Sequence, residues 1–304
     1  MLHTDTESNF TMTPNDSCLI PPARIAVQIS LLPMFDRVLV NFYRIWHGTL
    51  KKRGAGRLLS KAATNHKGLQ SYRVRLPEGQ FIELDFRDVS AMYWLNHTLG
   101  DRFEEWGLLT AMQRFLNQDS VIWDIGANSG LLSYHLAKEQ SFSELHLFEP
   151  NPRMAKLATQ ALSVFPKTEV YPYGLSNREG NFTLTIPEGH TTLATLEPDA
   201  THRIGTACMI QCRVGDELVR KFNMTPPTVI KIDTEGHEPS VIAGLTKTIE
   251  LHRPVIFCEH ISLDVSDVLS MLPSGYRLFT VNDDTGELVE GASYGIGHNS
   301  ALIP

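Results

Sequence analysis

VIWDIGANSG, residues 121–130, decides how this chain folds. Three apolar residues run straight into an acid, two glycines and an amide, where a buried strand should turn into a helix. Gly126 and Gly130 let the backbone turn tightly and approach a ligand without a Cβ in the way. The stretch is not the G-x-G-x-x-G pattern, whose glycines bring a helix N-terminus onto a pyrophosphate. Asp124 stands before the glycines instead, and its charge would repel a pyrophosphate but suits an ammonium group.

The text beyond this turn repeats it. Apolar strands are expected at 121–125, 144–149, 169–174, 228–233 and 254–259, with amphipathic helices near 130–138, 152–164, 238–250 and 264–272. Two last strands, near 277–282 and 297–303, enclose a hairpin-like stretch without a helix, so the last should return antiparallel. Repeated βα units imply an α/β, mostly parallel, doubly wound sheet that binds ligands beyond the carboxyl ends of its strands.

Further pieces fall on that edge. Glu149 ends the second strand 19 residues after Gly130, near the spacing at which an acid binds ribose hydroxyls. Pro150 and Pro152 set up the next helix, with Asn151 as its cap. In VIKIDTEGHE, 229–238, Lys231 and Asp233 interrupt a strand that should be buried on both faces. Such breaches are tolerated mostly at functional sites, and the period of two puts Lys231 beside Asp233 or Glu235 as an ion pair. PVIFCEH, 254–260, delivers Glu259 and His260 to the same edge. Asp233, Glu235 and Glu259 are also the residues that would hold a divalent metal, since oxygen ligands suit Mg²⁺.

The first hundred residues read differently. Residues 1–22 look like a disordered leader without the basic and apolar regions of a secretory signal, and 23–99 like a basic helical and β-hairpin segment. Phe35, Val38, Leu39, Phe42, Ile45 and Trp46 form a helical stripe, and SYRVRLPEGQFIELDF (71–86) alternates as a hairpin about Pro-Glu-Gly. Ten of the 27 Lys and Arg fall between Arg37 and Pro77, where no Asp or Glu occurs; the rest sets 17 basic residues against all 34 acidic ones. A split of that size points to two surfaces with different jobs. It suggests either a helix packed on the core with a solvated basic face, or peripheral contact of residues 34–61 with an anionic membrane. The net charge of −7 speaks against a nucleic-acid partner. Cys18, Cys208, Cys212 and Cys258 offer no metal-binding or disulfide spacing, which fits reduced thiols in a cytoplasmic protein.

Five stretches together resemble the successive motifs of the FkbM-type methyltransferase family: VIWDIGANSGLLS (121–133), LHLFEPNP (145–152), GLSNREG (174–180), VIKIDTEGHEPSVIAGL (229–245) and PVIFCEH. The likeness runs over residues 100–304, including GDRFEEW (100–106) and HNSALIP (298–304). It implies a Rossmann-like class I domain and an S-adenosylmethionine-dependent O-methyltransferase acting on a hydroxyl of a sugar, glycan or secondary metabolite. On that likeness Asp124, Gly126, Asn128, Gly130, Glu149 and Glu104 serve the cofactor, and Asp233 and Glu235 lie beside the methyl group. His260 or Asp233 is then the candidate base, with Lys231 and Glu235 supporting it. His237 departs from the small residue usual at its place. The readings competing with this one are a non-catalytic Rossmann-like adapter at a membrane surface and an NAD(P)-dependent oxidoreductase.

Overall fold

The computed structural model describes residues 34–49, 55–98, 103, 105–139, 141–197, 205–259, 265–293 and 295–304. The leader at 1–22, Glu104 and His260 lie outside these described residues.

Helix α1 (Met34–Tyr43) runs on as a π-helical turn, Arg44–Thr49, and is followed by α2 (Ala55–Asn65) and the single turn α3 (Lys67–Gln70). Strands β1 (Tyr72–Arg75) and β2 (Phe81–Leu84) form the expected antiparallel hairpin, with Tyr72 opposite Leu84. Helices α4 (Val89–Thr98) and α5 (Trp106–Gln113) then lead into the alternating part.

That part runs β3 (Val121–Ile125), α6 (Leu131–Glu139), β4 (Glu144–Phe148), α7 (Pro152–Leu162) and β5 (Thr168–Tyr171). A small insertion follows, made of β6 (Gly174–Leu175), β7 (Gly180–Pro187) and β8 (Gly205–Arg213), with order β6-β8-β7. The alternation resumes with α8 (Gly215–Phe222), β9 (Val229–Ile232), α9 (Glu238–Gly244), α10 (Thr246–His252), β10 (Val255–Glu259) and α11 (Val265–Ser270). Strands β11 (Arg277–Val281), β12 (Leu288–Glu290) and β13 (Asn299–Ile303) close the described chain.

The main sheet has the order β12-β11-β13-β10-β9-β3-β4-β5. Strands β5, β4, β3, β9 and β10 are parallel, and β13 returns antiparallel between β10 and β11. This is a doubly wound, mostly parallel Rossmann-like sheet, with the chain crossing sides between β3 and β9. Alternation along each strand feeds both layers. Ile122, Leu145, Leu147, Val229 and Phe257 join one core with α6 and α7; Trp123, Ile125, Ile230, Ile232 and Ile256 join the other with α8, α9 and α10.

The N-terminal segment shares the first of these cores: Val40, Tyr43, Leu69, Tyr72 and Trp94 pack in one cluster with Tyr134 and Leu157. Its helix α1 does not bury the apolar stripe on the core. The face turned inward carries Val40 and Tyr43, while Phe35, Val38, Phe42 and Ile45 of the apolar stripe are exposed. The helix expected over 238–250 breaks at Leu245, whose backbone leaves the helical conformation to start α10. Cys212 and Cys258 are buried free thiols, and Cys208 is a half-buried one.

Candidate active site

Two neighbouring turns at the carboxyl edge make the floor. Asp124 on β3 and Lys231 on β9 are register partners and point to the same face, because Ile122 and Val229 on that face lie two residues before them. The Lys231 ammonium lies 3.5 Å from Asp124 Oδ1, 3.2 Å from Asp233 Oδ2 and 4.0 Å from Glu105 Oε1. It also donates to the Gly126 carbonyl at 3.2 Å. Burial opposes its charge, but the carboxylates of Asp233, Asp124 and Glu105 outweigh that cost and push the pKa well up. Asp124 is 1% exposed and accepts a 2.6 Å hydrogen bond from Ser133. The carboxylate expected to face a ligand's ammonium is thus turned to Lys231, beneath the glycine turn.

The glycines themselves are needed for close approach. At Gly126, with φ +79°, a Cβ would stand 1.8 Å from the Asp233 carbonyl oxygen; at Gly130, with φ +75°, it would stand 2.9 Å from Ala158 Cβ. Only a glycine lets the β3 turn lie against the β9 turn and lets α6 close on α7. Asn128 takes a left-handed φ of 49° and donates its N–H to Glu149 Oε2 at 2.7 Å. Glu149 Oε1 accepts from the Asn151 N–H at 2.7 Å, and Asn151 caps α7 as its sequence suggests. Burial raises the Glu149 carboxyl to about 7 against the lowering effect of those two N–H groups.

These turns border a cleft that is partly open to solvent. Gly126, Asn128, Phe148, Glu149 and Pro150 line it together with Asp233, Thr234, Glu235 and His237. Asn128 Oδ1 is buried there without a protein partner among the described residues. Leaving such an oxygen unpaired is costly, so a polar ligand group fits it.

Asp233, Glu235 and Glu259 each bring a carboxylate oxygen to within 4.8 Å of the others. Burial, then the charges of Asp233 and Glu235, push the Glu259 carboxyl up to about 10. Glu235 is held at φ 52°, and its carbonyl accepts a 2.7 Å hydrogen bond from Thr195 Oγ1. Glu238, expected at a helix N-terminus, starts α9 and accepts from Thr234 N and Oγ1 at 2.8 and 3.0 Å.

A further wall of the cleft comes from the segment between β7 and β8. Residues 191–197 line it with Thr191, Thr192, Ala194 and Leu196. One end is anchored by the buried Asp88 carboxylate, which accepts from Thr191 Oγ1 at 2.7 Å and from Arg153. The other is anchored by Glu197, whose Oε1 lies 2.8 Å from His237 Nδ1, while His237 Nε2 lies 3.0 Å from Ser176 Oγ. Asp88-x-Ser90 carried a readable helix-cap signal, and the Asp88 Oδ1 does accept from the Ser90 N–H at 3.0 Å at the start of α4. Nothing in the sequence marked its second partner.

A model of the methyltransferase FkbM domain matches residues 124–278. The hexuronic acid methyltransferase AglP of Haloferax volcanii is 30% identical over 158 residues, covering 51% of this chain and 62% of that protein. The AMB antimetabolite synthetase AmbE of Pseudomonas aeruginosa is 34% identical over 80 residues, 26% of this chain and 4% of that one. The chain therefore spans less than two thirds of the length of these curated relatives. Among solved structures, a methyltransferase FkbM from Methylobacillus flagellatus KT aligns with a TM-score of 0.44 at 16% identity, over 70% of this chain and 53% of that one. The matched residues begin at Asp124 and take in both turns of the cleft, and this chain belongs to the FkbM methyltransferase domain family.

Proposed function

We propose that this chain is an S-adenosylmethionine-dependent O-methyltransferase whose acceptor is a hydroxyl of a sugar, glycan or related metabolite. The observation that carries the reading is that Asn128 and Glu149 line the same cleft as Asp233 and Glu235. When bound, the cofactor supplies an electrophilic methyl group on a sulfonium. Glu149 would accept hydrogen bonds from ribose hydroxyls, and the Asn128 amide oxygen would accept one from a ligand N–H or O–H. The Haloferax relative, named for hexuronic acid, supports a sugar-class acceptor.

A sugar hydroxyl is a poor nucleophile, so its proton must leave as the new bond forms. Asp233 takes that proton on its carboxylate in this reading, with Lys231 fixing the carboxylate and Glu235 orienting the acceptor. His260, just beyond Glu259, is the other residue that would serve as base. Holding the acceptor oxygen in line with the methyl group supplies much of the remaining acceleration.

Calorimetric titration with S-adenosylmethionine, against NADH and NADPH controls, tests the cofactor. Binding of the sulfonium compound alone supports the reading, and binding of a nicotinamide cofactor alone overturns it. Transfer of labelled methyl to a panel of neutral and uronic sugars then tests the acceptor class. Near-normal kcat in both Asp233→Ala and His260→Ala would remove the assignment of the base.

One observation favours a metal-assisted variant of the same reaction. The three carboxylates of Asp233, Glu235 and Glu259 converge closely enough to hold a divalent cation such as Mg²⁺. Loss of activity in a chelator, restored by Mg²⁺, would support it; indifference to the chelator would remove it.

A further inference from the structure

Met34, Phe35, Val38, Phe42 and Ile45 follow one another along a single side of α1 and its π-helical continuation. Each is between 43% and 84% exposed, and Leu58 on α2 adds a sixth large apolar side chain at 55%. Single exposed apolar residues are ordinary on a protein surface. Six of the thirteen exposed large apolar side chains among the described residues fall within these 25 positions, however, and a concentration of that kind marks an interaction surface.

The charge around the stripe narrows what it meets. Leu58 sits between the exposed Arg57 and Lys61, and Lys67 is exposed beyond them. Asp36, the acid nearest the stripe, is buried on the inward side of α1. From Arg37 to Pro77 the chain carries ten cations and no Asp or Glu. A second copy docking the same face would set those cations against one another, which disfavours self-association. An anionic lipid surface complements both features at once. Cations meet the phosphates, and the apolar stripe enters the boundary between headgroups and acyl chains. No helix among the described residues is long and apolar enough to cross a membrane, so the contact is with one leaflet.

We propose that α1, its π-helical turn and α2 form a docking face for an anionic membrane surface. The proposal is independent of the chemistry assigned to the cleft, and its test does not use activity. The full chain is sedimented with vesicles of phosphatidylcholine, with and without phosphatidylglycerol, at low and raised salt. A variant carrying Val38→Ser, Phe42→Ser and Ile45→Ser is compared, with its thermal melt checked against the parent. The expected result is pelleting with the anionic vesicles only, weaker in raised salt, and lower in the variant by on the order of tenfold or more. Failure to pellet with anionic vesicles at low salt overturns the proposal. Undiminished pelleting of the variant overturns it too. So does a dimer of the parent chain that the three substitutions abolish, because a second copy would then own the face.

Discussion

The ammonium of Lys231 lies 3.5 Å from the carboxylate of Asp124 on the adjacent strand, and both side chains are almost completely buried. Removing one partner of such a pair leaves the other charge without compensation in the interior. Lys231→Met should therefore destabilise the fold by about 3–5 kcal/mol, since it strands Asp124 and weakens the hold on Asp233. Asp124→Asn should cost less, because Ser133 can still donate to the remaining amide oxygen and Asp233 still faces the ammonium. Urea unfolding of the two single variants and the double variant measures the coupling. A Lys231→Met variant as stable as the parent would show that the pair carries no structural weight.

Glu149 links the cofactor side of the cleft to pH. Its carboxyl is raised by burial to about 7, so about half of it is protonated near neutrality. In the proposed site the ionised form is the better acceptor for ribose hydroxyls. Affinity for S-adenosylmethionine should fall as the pH drops below 7 and level off above 8. Glu149→Gln should bind more weakly by about 1–3 kcal/mol, and should lose that pH dependence. Titration calorimetry at pH 6, 7 and 8 reads both effects; a parent profile that is flat across this range would count against the role given to Glu149.

The strand-and-turn logic of this site was legible because it is local. Alternation along β9 places Lys231 and Asp233 on one face whatever the rest of the chain does, and the glycine spacing announces the tight turns. The partner chosen by Asp124 was not legible. An acid before a glycine turn is equally compatible with a ligand's cation and with a lysine from another strand, and only the sheet order puts Lys231 next to it. Long-range contacts of ordinary polar residues were invisible for the same reason. Asp88 meets Thr191 across 103 positions, and His237 meets Ser176 across 61. The exposed stripe of α1 shows the limit of periodicity: it finds an apolar face but does not say whether that face turns inward.

His237, at the end of the β9 turn, ties the 191–197 wall of the cleft to that turn. Its ring spans Glu197 on one side and Ser176 on the other, and Thr195 ties the same wall to the Glu235 carbonyl. His237→Ala removes one of those anchors and leaves the Asn128–Glu149 contact untouched. The acceptor KM should rise by on the order of tenfold, with kcat changed much less and cofactor affinity unchanged. Steady-state kinetics varied in each substrate separately measures this. Equal losses in both substrates would mean that His237 supports the whole fold and not the acceptor wall.

The N-terminal segment and α6 meet through two buried imidazoles whose titration should govern acid stability. His97 and His135 stack edge to face with ring centroids 4.5 Å apart, and Phe103 lies parallel to His135 at 4.6 Å. Burial, followed by the charge of Lys138, lowers His97 from 6.5 to about 4. Burial, then His97 and Lys138, lowers His135 to about 3. Both groups are neutral in the fold, and the unfolded chain takes up their protons first. Their contribution is therefore intact above about pH 6.5 and is lost as the pH falls from there toward 4 and 3. Each proton adds a slope of up to about 1.4 kcal/mol per pH unit in that window. Neither Nε2 atom has a hydrogen-bond partner among the described residues, so His97→Phe forfeits no bond there and removes one of the two titrations. Urea midpoints at pH 7, 6 and 5 should fall for the parent, and fall less steeply for His97→Phe. Parallel declines in the two proteins would show that other groups, carboxylates in particular, control the acid limb.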